Sequence, residues 1–354
     1  MTTPTRLLIA ASGTGGHLFP AIALAEQLPD YQIEWLGVPD RLETQLVPAQ
    51  YPLHTISIAG FQERFGISTL RNLGRIGSSV FTIKKLLQQR QFQGVFTTGG
   101  YIAAPAILAA RLSGLPAILH ESNAIPGKVT RSFSRFCTTV ALGFEPAAQY
   151  LPTIRTIYTG TPVRTQFLKP QLPALELPIP DDVPLIVVVG GSQGAVAVNQ
   201  LIRQCATSWL DAGAWIVHLT GNNDPDVASF QHPQYFPLPF YDHMASLLHR
   251  ANLAIGRSGA GTVTELAIAQ TPAIFIPLPT AAEDHQYYNA QVLAAVGGAL
   301  VFRQNELTPQ QLQAQVLELL QSHERLQMMA EAAGKIAIPD SATKLAQLVR
   351  QLIE

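Results

Sequence analysis

Short apolar runs alternate with longer amphipathic segments through the first 160 residues of the chain. The runs of four to six residues are typical of buried strands, whereas apolar residues recur at helical spacing in segments such as Pro20–Leu28 and Ile102–Leu112. This alternation predicts right-handed βαβ units and a parallel sheet. The predicted strands are Leu7–Ala11, Ile33–Gly37, Leu53–Ile58, Gly94–Thr98, Ala117–His120, Thr138–Leu142 and Thr156–Thr159.

The same pattern restarts after a segment that holds six prolines between Thr161 and Pro184. Proline breaks helices and removes a backbone donor, so we predict an interdomain linker there. The terminal segment Ser341–Leu352 is amphipathic and predicts a last helix. The other elements predicted here are the strands Leu185–Val189, Trp215–Thr220, Leu253–Gly256, Ala273–Pro277 and Leu300–Phe302, and the helices Val196–Trp209, Gly261–Ala269, His285–Ala295 and Pro309–Gln321.

Two glycine-rich turns stand between a predicted strand and a predicted helix, one in each half of the chain. They are Ser12–His17, with the sequence SGTGGH, and Gly190–Ala195, with the sequence GGSQGA. The unpaired N–H groups and the positive dipole end of a helix start favour a phosphate or a developing anion. We therefore expect two nucleotide-fold domains that face one cleft, with ligands outside the carboxyl ends of the strands.

The composition indicates a soluble but rather apolar chain, since 47% of its 354 residues are hydrophobic and 13% are charged. A net charge of −1 gives no reason to expect a nucleic acid partner. The two cysteines, Cys137 and Cys205, form no CxxC motif, which fits a reducing compartment and argues against zinc or disulfides. No signal peptide is evident, and no apolar run approaches the ~20 residues that span a bilayer. We expect a cytoplasmic or peripheral protein.

His17 directly follows the first glycine turn, at the mouth of the expected cleft. With an ordinary pKa of about 6.5, a histidine there can take a proton from a hydroxyl at neutral pH. A helix-start residue that bonds its own backbone is an equal alternative. The turn lacks a complete G-x-G-x-x-G, and no ribose-binding acid clearly ends the second strand, so dinucleotide binding is poorly supported.

Polar residues also follow the next two strands. Thr97–Tyr101 contains a third glycine turn, and His120–Asn123 ends the strand after it. Side chains at these positions can reach a sugar hydroxyl. A capped loop, in which Asn123 fixes the turn before Pro126, is slightly preferred.

The segment Arg257–Glu265 gives the strongest local signal. Its helix is predicted to begin near Gly261, so that the N–H groups of Gly261 and Thr262 suit a diphosphate. Glu265 is expected in the first turn, where it could accept hydrogen bonds from both ribose hydroxyls or simply stabilise the helix start. The next loop adds the hydroxyl-binding candidates Glu283, Asp284, His285, Gln286 and Asn289.

The sequence Asp224-Pro225-Asp226 is formally a D-x-D, which holds a divalent metal in some sugar transferases. Its neighbours are Asn and Gly, a composition typical of turns, so we favour a structural turn. We predict no metal site and no cofactor.

Residues 60–93 carry a local charge of +5, with apolar residues at helical spacing. An ordinary surface helix whose apolar stripe enters the core is preferred, and contact with an anionic membrane is the alternative. The basic residues are Arg64, Arg71, Arg75, Lys84, Lys85 and Arg90, and the one acidic residue is Glu63. The apolar stripe consists of Leu70, Leu73, Ile76, Val80, Ile83 and Leu87. The additional aromatic residues are Phe61, Phe65 and Phe81.

Taken together, these motifs resemble the MurG family, whose members transfer N-acetylglucosamine from UDP-N-acetylglucosamine to undecaprenyl-diphospho-N-acetylmuramoyl-pentapeptide. The resemblance runs in order through essentially the whole chain. Its motifs are Thr14–His17 with Phe19-Pro20, Trp35–Gly37, Gly99–Tyr101, His120–Asn123, Gly160–Arg164, Gly190–Ala195, Arg257–Ala260, Thr262–Glu265, and Asp284–Gln286 with Asn289-Ala290. Each motif alone is weak, but the ordered set is highly specific.

The resemblance implies a fold of two Rossmann-like parallel-sheet domains facing a cleft, the GT-B arrangement. The expected boundaries are 1–163 for the N-terminal domain, joined by a C-terminal helix at 337–354, then 164–183 for the linker and 184–336 for the C-terminal domain. The family's donor-site positions fall on Thr14, Gly15, Gly16, Asn123, Arg164, Ser192 and Glu265. The loop Phe240–Met244, with Tyr241, is expected at the base, Ala260, Gly261 and Thr262 at the phosphates, and His285 with Gln286 at the sugar.

The expected activity is an inverting transfer without metal, in which His17 is the general base. The lipid acceptor is expected to meet the N-terminal domain at an anionic membrane surface, on the cytoplasmic face of the inner membrane. Two residues depart from the family pattern: Ser12 replaces a frequent glycine, and His285 replaces a glutamine of some members. The alternatives are a UDP-N-acetylglucosamine epimerase or glycolipid synthase of the same fold, and a non-catalytic membrane scaffold.

Overall fold

The computed structural model describes residues 4–57, 68–191 and 194–354, with backbone alone for 68–76. By contacts, the chain divides into unit 1, residues 1–164 with 339–354, and unit 2, residues 165–338. Both units are built on a parallel sheet with helices on its faces, so the predicted fold class of two Rossmann-like domains is confirmed.

Unit 1 contains a seven-stranded sheet in the order β3-β2-β1-β4-β5-β6-β7. One face packs against α3 and α4, and the other against α1 and the terminal helix α12. The strands are β1 Arg6–Ala10, β2 Gln32–Gly37, β3 Leu53–Thr55, β4 Gly94–Thr97, β5 Ala117–Glu121, β6 Thr139–Leu142 and β7 Thr156–Tyr158. The helices are α1 Gly15–Glu26, α2 Glu43–Leu46, α3 Ser68–Gln89, α4 Ala103–Leu112, α5 Lys128–Phe133 and α12 Ser341–Ile353.

Unit 2 contains a six-stranded sheet in the order β10-β9-β8-β11-β12-β13. Its strands are β8 Leu185–Val189, β9 Trp215–Leu219, β10 Tyr235–Leu238, β11 Leu253–Gly256, β12 Ala273–Phe275 and β13 Ala299–Val301. Its helices are α6 Val196–Asp211, α7 Met244–Arg250, α8 Ala260–Ala269, α9 His285–Ala295, α10 Pro309–Leu320 and α11 His323–Gly334.

The strand order explains where ligands can bind. In each sheet the chain runs outward from the first strand, returns, and continues on the other side, so the switch lies between β1 and β4 and between β8 and β11. Crevices at such switch points are the usual ligand sites of doubly wound sheets. The turns after β1 and β4 therefore meet in unit 1, and those after β8 and β11 meet in unit 2.

The terminal helix α12 completes the core of unit 1 through the apolar face that the sequence predicted. Leu345, Leu348 and Val349 are buried against the strands beside Leu7 and Ile9. Arg350 forms an ion pair with Asp30 at the end of this interface. The helix therefore belongs physically to unit 1, although it follows unit 2 in the chain.

The proline-rich segment predicted as a linker packs on unit 2 rather than standing free of it. Its Thr165–Leu168 portion forms a 3₁₀ helix in contact with α7 and α8. Arg250 donates to the carbonyl oxygens of Pro180 and Val183.

Several elements differ from the prediction. Helix α1 begins at Gly15 rather than at Pro20, so Pro20 lies inside the helix, in its second turn, where it removes one backbone hydrogen bond. Strand β10 and helices α2, α5, α7 and α11 were not predicted, since each is short or weakly patterned. No helix in the described part of the chain is long and apolar enough to cross a membrane.

Candidate active site

The His17 side chain is fixed by the turn that follows β4. Its Nδ1 lies 2.7 Å from the carbonyl oxygen of Thr98. A carbonyl can only accept, so Nδ1 carries the proton and the neutral ring presents an unprotonated Nε2. The geometry therefore gives His17 a lone pair that can accept a substrate proton.

Two glycines leave the space around this ring open. Gly99 and Gly100 both have positive φ, of 92° and 73°. A Cβ at Gly99 would lie 3.7 Å from His17 Cε1, and one at Gly100 would lie 3.7 Å from Nε2. Glycine therefore serves both the turn and the approach of a ligand to the imidazole.

Glu43 supports the first glycine turn, a role that sequence reasoning missed. Its fully buried carboxylate accepts hydrogen bonds from the N–H groups of Gly13, at 3.2 Å, and Val38, at 2.7 Å. Gly37 makes room for it, because a Cβ there would lie 2.7 Å from Glu43 Cγ. The demanding conformation of this turn is at Gly13, with φ 107°, so serine is accommodated at position 12.

The donor-site positions predicted around this turn lie near His17 within unit 1. Thr14 is the residue before α1, and Gly15 and Gly16 form its exposed or half-exposed first turn, where N–H groups lack helical partners. Arg164 lies over the ring of Phe19, one turn further along α1, at 5.0 Å. These residues therefore lie at one end of α1, while their substrate contacts stay predictions.

Glu121 organises the loop after β5 and is unsuited to act as a base. One carboxylate oxygen accepts from the N–H and the side-chain amide of Asn123, and the other from Gly127 N–H and the Thr130 hydroxyl. Both oxygens are occupied and the side chain is buried. Asn123 therefore takes part in a loop that Glu121 holds, as the capped-loop interpretation expects, and its contact with the donor stays a prediction. The loop is held against the Gly99 turn, where Thr130 Oγ1 lies 3.9 Å from the site of a Gly99 Cβ.

His120 is likewise a structural residue. It is completely buried, and its Nε2 donates to the carbonyl oxygen of Gly160 at 3.0 Å. Burial lowers the pKa of His120, so it remains neutral. It ties the end of β5 to the segment that leads to Arg164.

In unit 2, the predicted phosphate turn lies at the start of α8. The helix begins at Ala260, so the N–H groups of Ala260, Gly261 and Thr262 are those of its first turn. Glu265 was expected in the first turn, and this was wrong, because the earlier helix start places it in the second turn. A carboxylate in the second turn is stabilised little by the helix dipole, which does not favour a purely structural role for Glu265. Glu265 does lie on the same helix face as Gly261 and Thr262.

The sugar-site candidates are joined to this turn by hydrogen bonds. The Ser258 hydroxyl donates to the carbonyl oxygen of Gln286 at 2.7 Å, and the Asn289 amide donates to the Ser258 carbonyl at 3.2 Å. Gln286 Oε1 accepts from Leu278 N–H, which leaves its amide N–H groups as donors for a ligand. His285 donates through Nδ1 to the Ala282 carbonyl at 2.9 Å, which leaves Nε2 as an acceptor.

Two other predicted contacts are less direct. Tyr241 is buried, and its hydroxyl accepts from Glu176 N–H at 3.2 Å. The exposed aromatic side chain of that loop is Phe240, and the contact of Tyr241 with the base stays a prediction. Ser192 lies outside the described residues.

The D-x-D sequence is a turn in which Asp224 is already neutralised. Arg203 forms a bidentate pair with Asp224, at 2.7 and 3.2 Å, and Asn199 also donates to its carboxylate. Burial alone would raise the pKa of Asp224, but the hydrogen bonds from Arg203, Asp226 and Asn199 outweigh it and hold the pKa below its usual range. No group of three His, Cys, Asp or Glu suited to a metal occurs among residues 4–57, 68–191 and 194–354.

Comparison with known proteins identifies both halves of the chain. Residues 7–142 match the glycosyltransferase family 28 N-terminal domain, and residues 185–348 match the glycosyltransferase family 28 C-terminal domain. A Nostoc punctiforme protein is 64% identical over 352 residues, which cover 99% of each chain. One from Gloeothece citriformis is 65% identical over 348 residues, covering 98% of this chain and 96% of the relative. Both are named UDP-N-acetylglucosamine–N-acetylmuramyl-(pentapeptide) pyrophosphoryl-undecaprenol N-acetylglucosamine transferase.

Solved structures agree with these matches. The crystal structure of Acinetobacter baumannii MurG has a TM-score of 0.78 and 32% identity, and covers 98% of this chain and 100% of that chain. A putative UDP-N-acetylglucosamine 2-epimerase from Listeria monocytogenes has a TM-score of 0.73 at 14% identity, covering 99% of this chain and 96% of that chain. At that identity the epimerase shares the fold alone.

Proposed function

We propose a reaction for this chain on the premise that it belongs to the MurG family, the pyrophosphoryl-undecaprenol N-acetylglucosamine transferases within glycosyltransferase family 28. The chain transfers N-acetylglucosamine from UDP-N-acetylglucosamine to undecaprenyl-diphospho-N-acetylmuramoyl-pentapeptide, in peptidoglycan synthesis. The observation that carries this function is the 64% identity over 99% of both chains.

The chemical step is a single displacement with inversion at the anomeric carbon. The C4 hydroxyl oxygen of N-acetylmuramic acid attacks this carbon, the bond from the carbon to the UDP oxygen breaks, and UDP departs with the electron pair. The hydroxyl proton passes to Nε2 of His17. The hydrogen bond from Nδ1 to the Thr98 carbonyl supports this role, because it fixes the required tautomer.

The donor is proposed to bind unit 2. The helix start at Ala260–Thr262 offers N–H groups to the diphosphate and stabilises the negative charge that grows on UDP. Glu265, on the same face, accepts from the ribose hydroxyls, and His285 with Gln286 supplies an acceptor and donors for the sugar. Ser192 is proposed at the diphosphate on the family pattern.

The acceptor's lipid tail must remain in a bilayer, so we propose that unit 1 docks on an anionic membrane as a peripheral protein at the cytoplasmic face. The described half of helix α3 supports this. Its inner face, Val80, Ile83 and Leu87, enters the core as the sequence predicted, while Phe81 is 71% exposed next to Lys84 and Lys85. An exposed aromatic residue beside basic ones suits anionic headgroups. Residues 60–67 and the side chains of Arg71 and Arg75 lie outside the description.

Release of UDP with and without the acceptor tests the proposed function. The purified chain should release UDP from UDP-N-acetylglucosamine only when the lipid-linked muramoyl acceptor is present, and the new linkage should be β, as inversion of an α-linked donor requires. An epimerase of this fold would convert the sugar nucleotide without the acceptor, and a scaffold would convert nothing. Either result would refute the proposal.

A further inference from the structure

Arg257 joins three loops of unit 2 at the carboxyl edge of its sheet. It directly follows β11, three residues before α8 begins. One guanidinium nitrogen donates to the carbonyl oxygens of Ile276 and Pro277, at 2.9 and 3.0 Å, and the other to Gln304 Oε1 at 2.7 Å. The ends of β11, β12 and β13 are therefore held by one side chain.

The partners of this guanidinium are all neutral. Arg257 is buried, and within the described residues its guanidinium donates to two carbonyl oxygens and one amide oxygen and to no carboxylate. Its buried Nε has no hydrogen-bond partner there. Burial lowers the pKa of Arg257, but arginine remains protonated at any ordinary pH. A buried cation without a counter-ion is costly, so an anion brought close to it is stabilised.

The first glycine turn, in unit 1, has the opposite electrostatics. Its buried charge is the Glu43 carboxylate, which already accepts the Gly13 N–H and forms no ion pair among the described residues. The turn before α1 and the turn before α8 are similar in sequence. The turn before α1 lies over the buried carboxylate of Glu43, whereas the turn before α8 follows the buried guanidinium of Arg257.

We propose that Arg257 is a buried counter-charge for the diphosphate of the donor, acting through space. The inference rests on the proposed function, in which the α8 start binds that diphosphate. Arg257 is thus a positioning residue: it makes the site positive before the donor arrives and favours UDP as its charge grows in the transition state.

Binding of UDP and of uridine to the wild-type protein, Arg257→Gln and Arg257→Lys, measured by calorimetry, tests the proposal. Arg257→Gln should lower the affinity for UDP by about tenfold or more, which corresponds to about 1.4 kcal/mol. It should lower the affinity for uridine by less than about threefold. Arg257→Lys keeps a cation whose pKa burial depresses. Its UDP affinity, relative to wild type, should therefore be near normal at about pH 6.5 and fall steadily toward about pH 9.

Gln304→Ala is the matched control, since it removes one contact of the same guanidinium and keeps the charge. It should leave the ratio of UDP to uridine affinity unchanged. Equal weakening of UDP and uridine in Arg257→Gln, or a flat relative pH profile in Arg257→Lys, would overturn the proposal in favour of a purely structural brace. If Arg257→Gln does not fold, the pH profile of Arg257→Lys decides alone. Wild-type protein that binds UDP no better than uridine would instead refute the proposed donor site, and this inference with it.

Discussion

The proposed chemistry depends on which nitrogen of His17 carries the proton, and this is decided by a single neighbouring atom. The Thr98 carbonyl oxygen fixes Nδ1 as a donor, so Nε2 is the basic nitrogen. Gly100 then keeps the region next to Nε2 free of a side chain. The basic nitrogen of His17 and the open space beside it are thus both determined by residues that lie 81 to 83 positions away in the chain.

Gly100→Ala should impair the transfer through crowding beside Nε2. The new methyl would lie 3.7 Å from that atom, in the space that the acceptor hydroxyl needs. Gly114→Ala is the matched control, because Gly114 has φ 71° against 73° at Gly100 and has no atom within 4 Å of its Cβ position. Both changes cost about 1–2 kcal/mol of backbone strain. Steady-state kinetics should show a loss of about tenfold or more in kcat/KM for the acceptor in Gly100→Ala alone. Equal losses in the two variants would argue that nothing needs to approach Nε2.

Glu265→Gln should weaken binding of the donor, because the ribose hydroxyls lose a charged acceptor. A hydrogen bond to a charged group is worth about 1.5–3 kcal/mol, so the Kd for UDP should rise by roughly 10- to 100-fold. The variant should also lose discrimination between UDP and its 2′-deoxy analogue, measured by calorimetry. Glu331→Gln, an exposed glutamate of α11, serves as the control and should change neither value. An unaltered UDP affinity in folded Glu265→Gln would remove Glu265 from the ribose site.

Among the secondary-structure elements, α6 and the turn after β9 are joined by a buried polar network. Arg203 and Asn199 of α6 contact Asp224, and Asn199 also bonds His218 of β9, whose pKa burial lowers to about 3. His218 is therefore neutral. The network holds the D-x-D sequence as a structural turn.

Asp224→Asn should destabilise unit 2 without revealing a metal requirement. It leaves the Arg203 cation buried and unpaired, which costs roughly 3–5 kcal/mol and should be visible in denaturant unfolding. Asp226→Asn, in the same D-x-D, loses only an exposed hydrogen bond with Gln200 and should unfold like wild type. Transfer by wild type and by both folded variants should persist in EDTA. Loss of wild-type transfer in EDTA, restored by Mg²⁺ or Mn²⁺, would refute the metal-independent mechanism.

Helix α3 offers an element-scale test of membrane docking. Changing Phe81→Ser, Lys84→Glu and Lys85→Glu together should weaken sedimentation with anionic vesicles, since each basic residue near such a surface contributes about 1 kcal/mol. Binding by wild type should also decrease at high salt. The control set Met328→Ser, Lys335→Glu and Lys344→Glu makes the same change of charge and polarity on α11, at the residue that follows it, and on α12. If both triple variants sediment like wild type at low salt, this face of α3 is an ordinary surface.

For the molecule as a whole, the doubly wound architecture and the location of the glycine turns could be predicted from the sequence. Apolar runs followed by glycine mark β1, β4, β8 and β11, and these strands form the two switch points. Strand β10 escaped prediction because it is four residues long and contains Pro237. The other three edge strands, β3, β7 and β13, were predicted from their apolar runs, so the miss reflects the proline of β10 rather than its place at an edge.

The charges beneath the turns could not be predicted in the same way. Glu43 lies 30 residues from Gly13, and Arg257 makes its side-chain contacts 19 to 47 residues away. Such contacts depend on how strands are ordered, and local patterns carry no information about them. The candidate site residues were therefore found from motifs, while the groups that orient and charge them required the tertiary structure.

The most direct test of the proposed mechanism measures the chemical step and donor binding separately in His17→Ala. We expect kcat for transfer to the lipid-linked muramoyl acceptor to fall by roughly 10²–10⁴, because the hydroxyl loses its general base. The Kd for UDP should change by less than about threefold, under 1 kcal/mol, since the imidazole serves the acceptor rather than the leaving group. His323→Ala, at the exposed start of α11, should behave as wild type. A fall in kcat of less than about tenfold in folded His17→Ala would contradict the role of His17 as general base and place the base elsewhere.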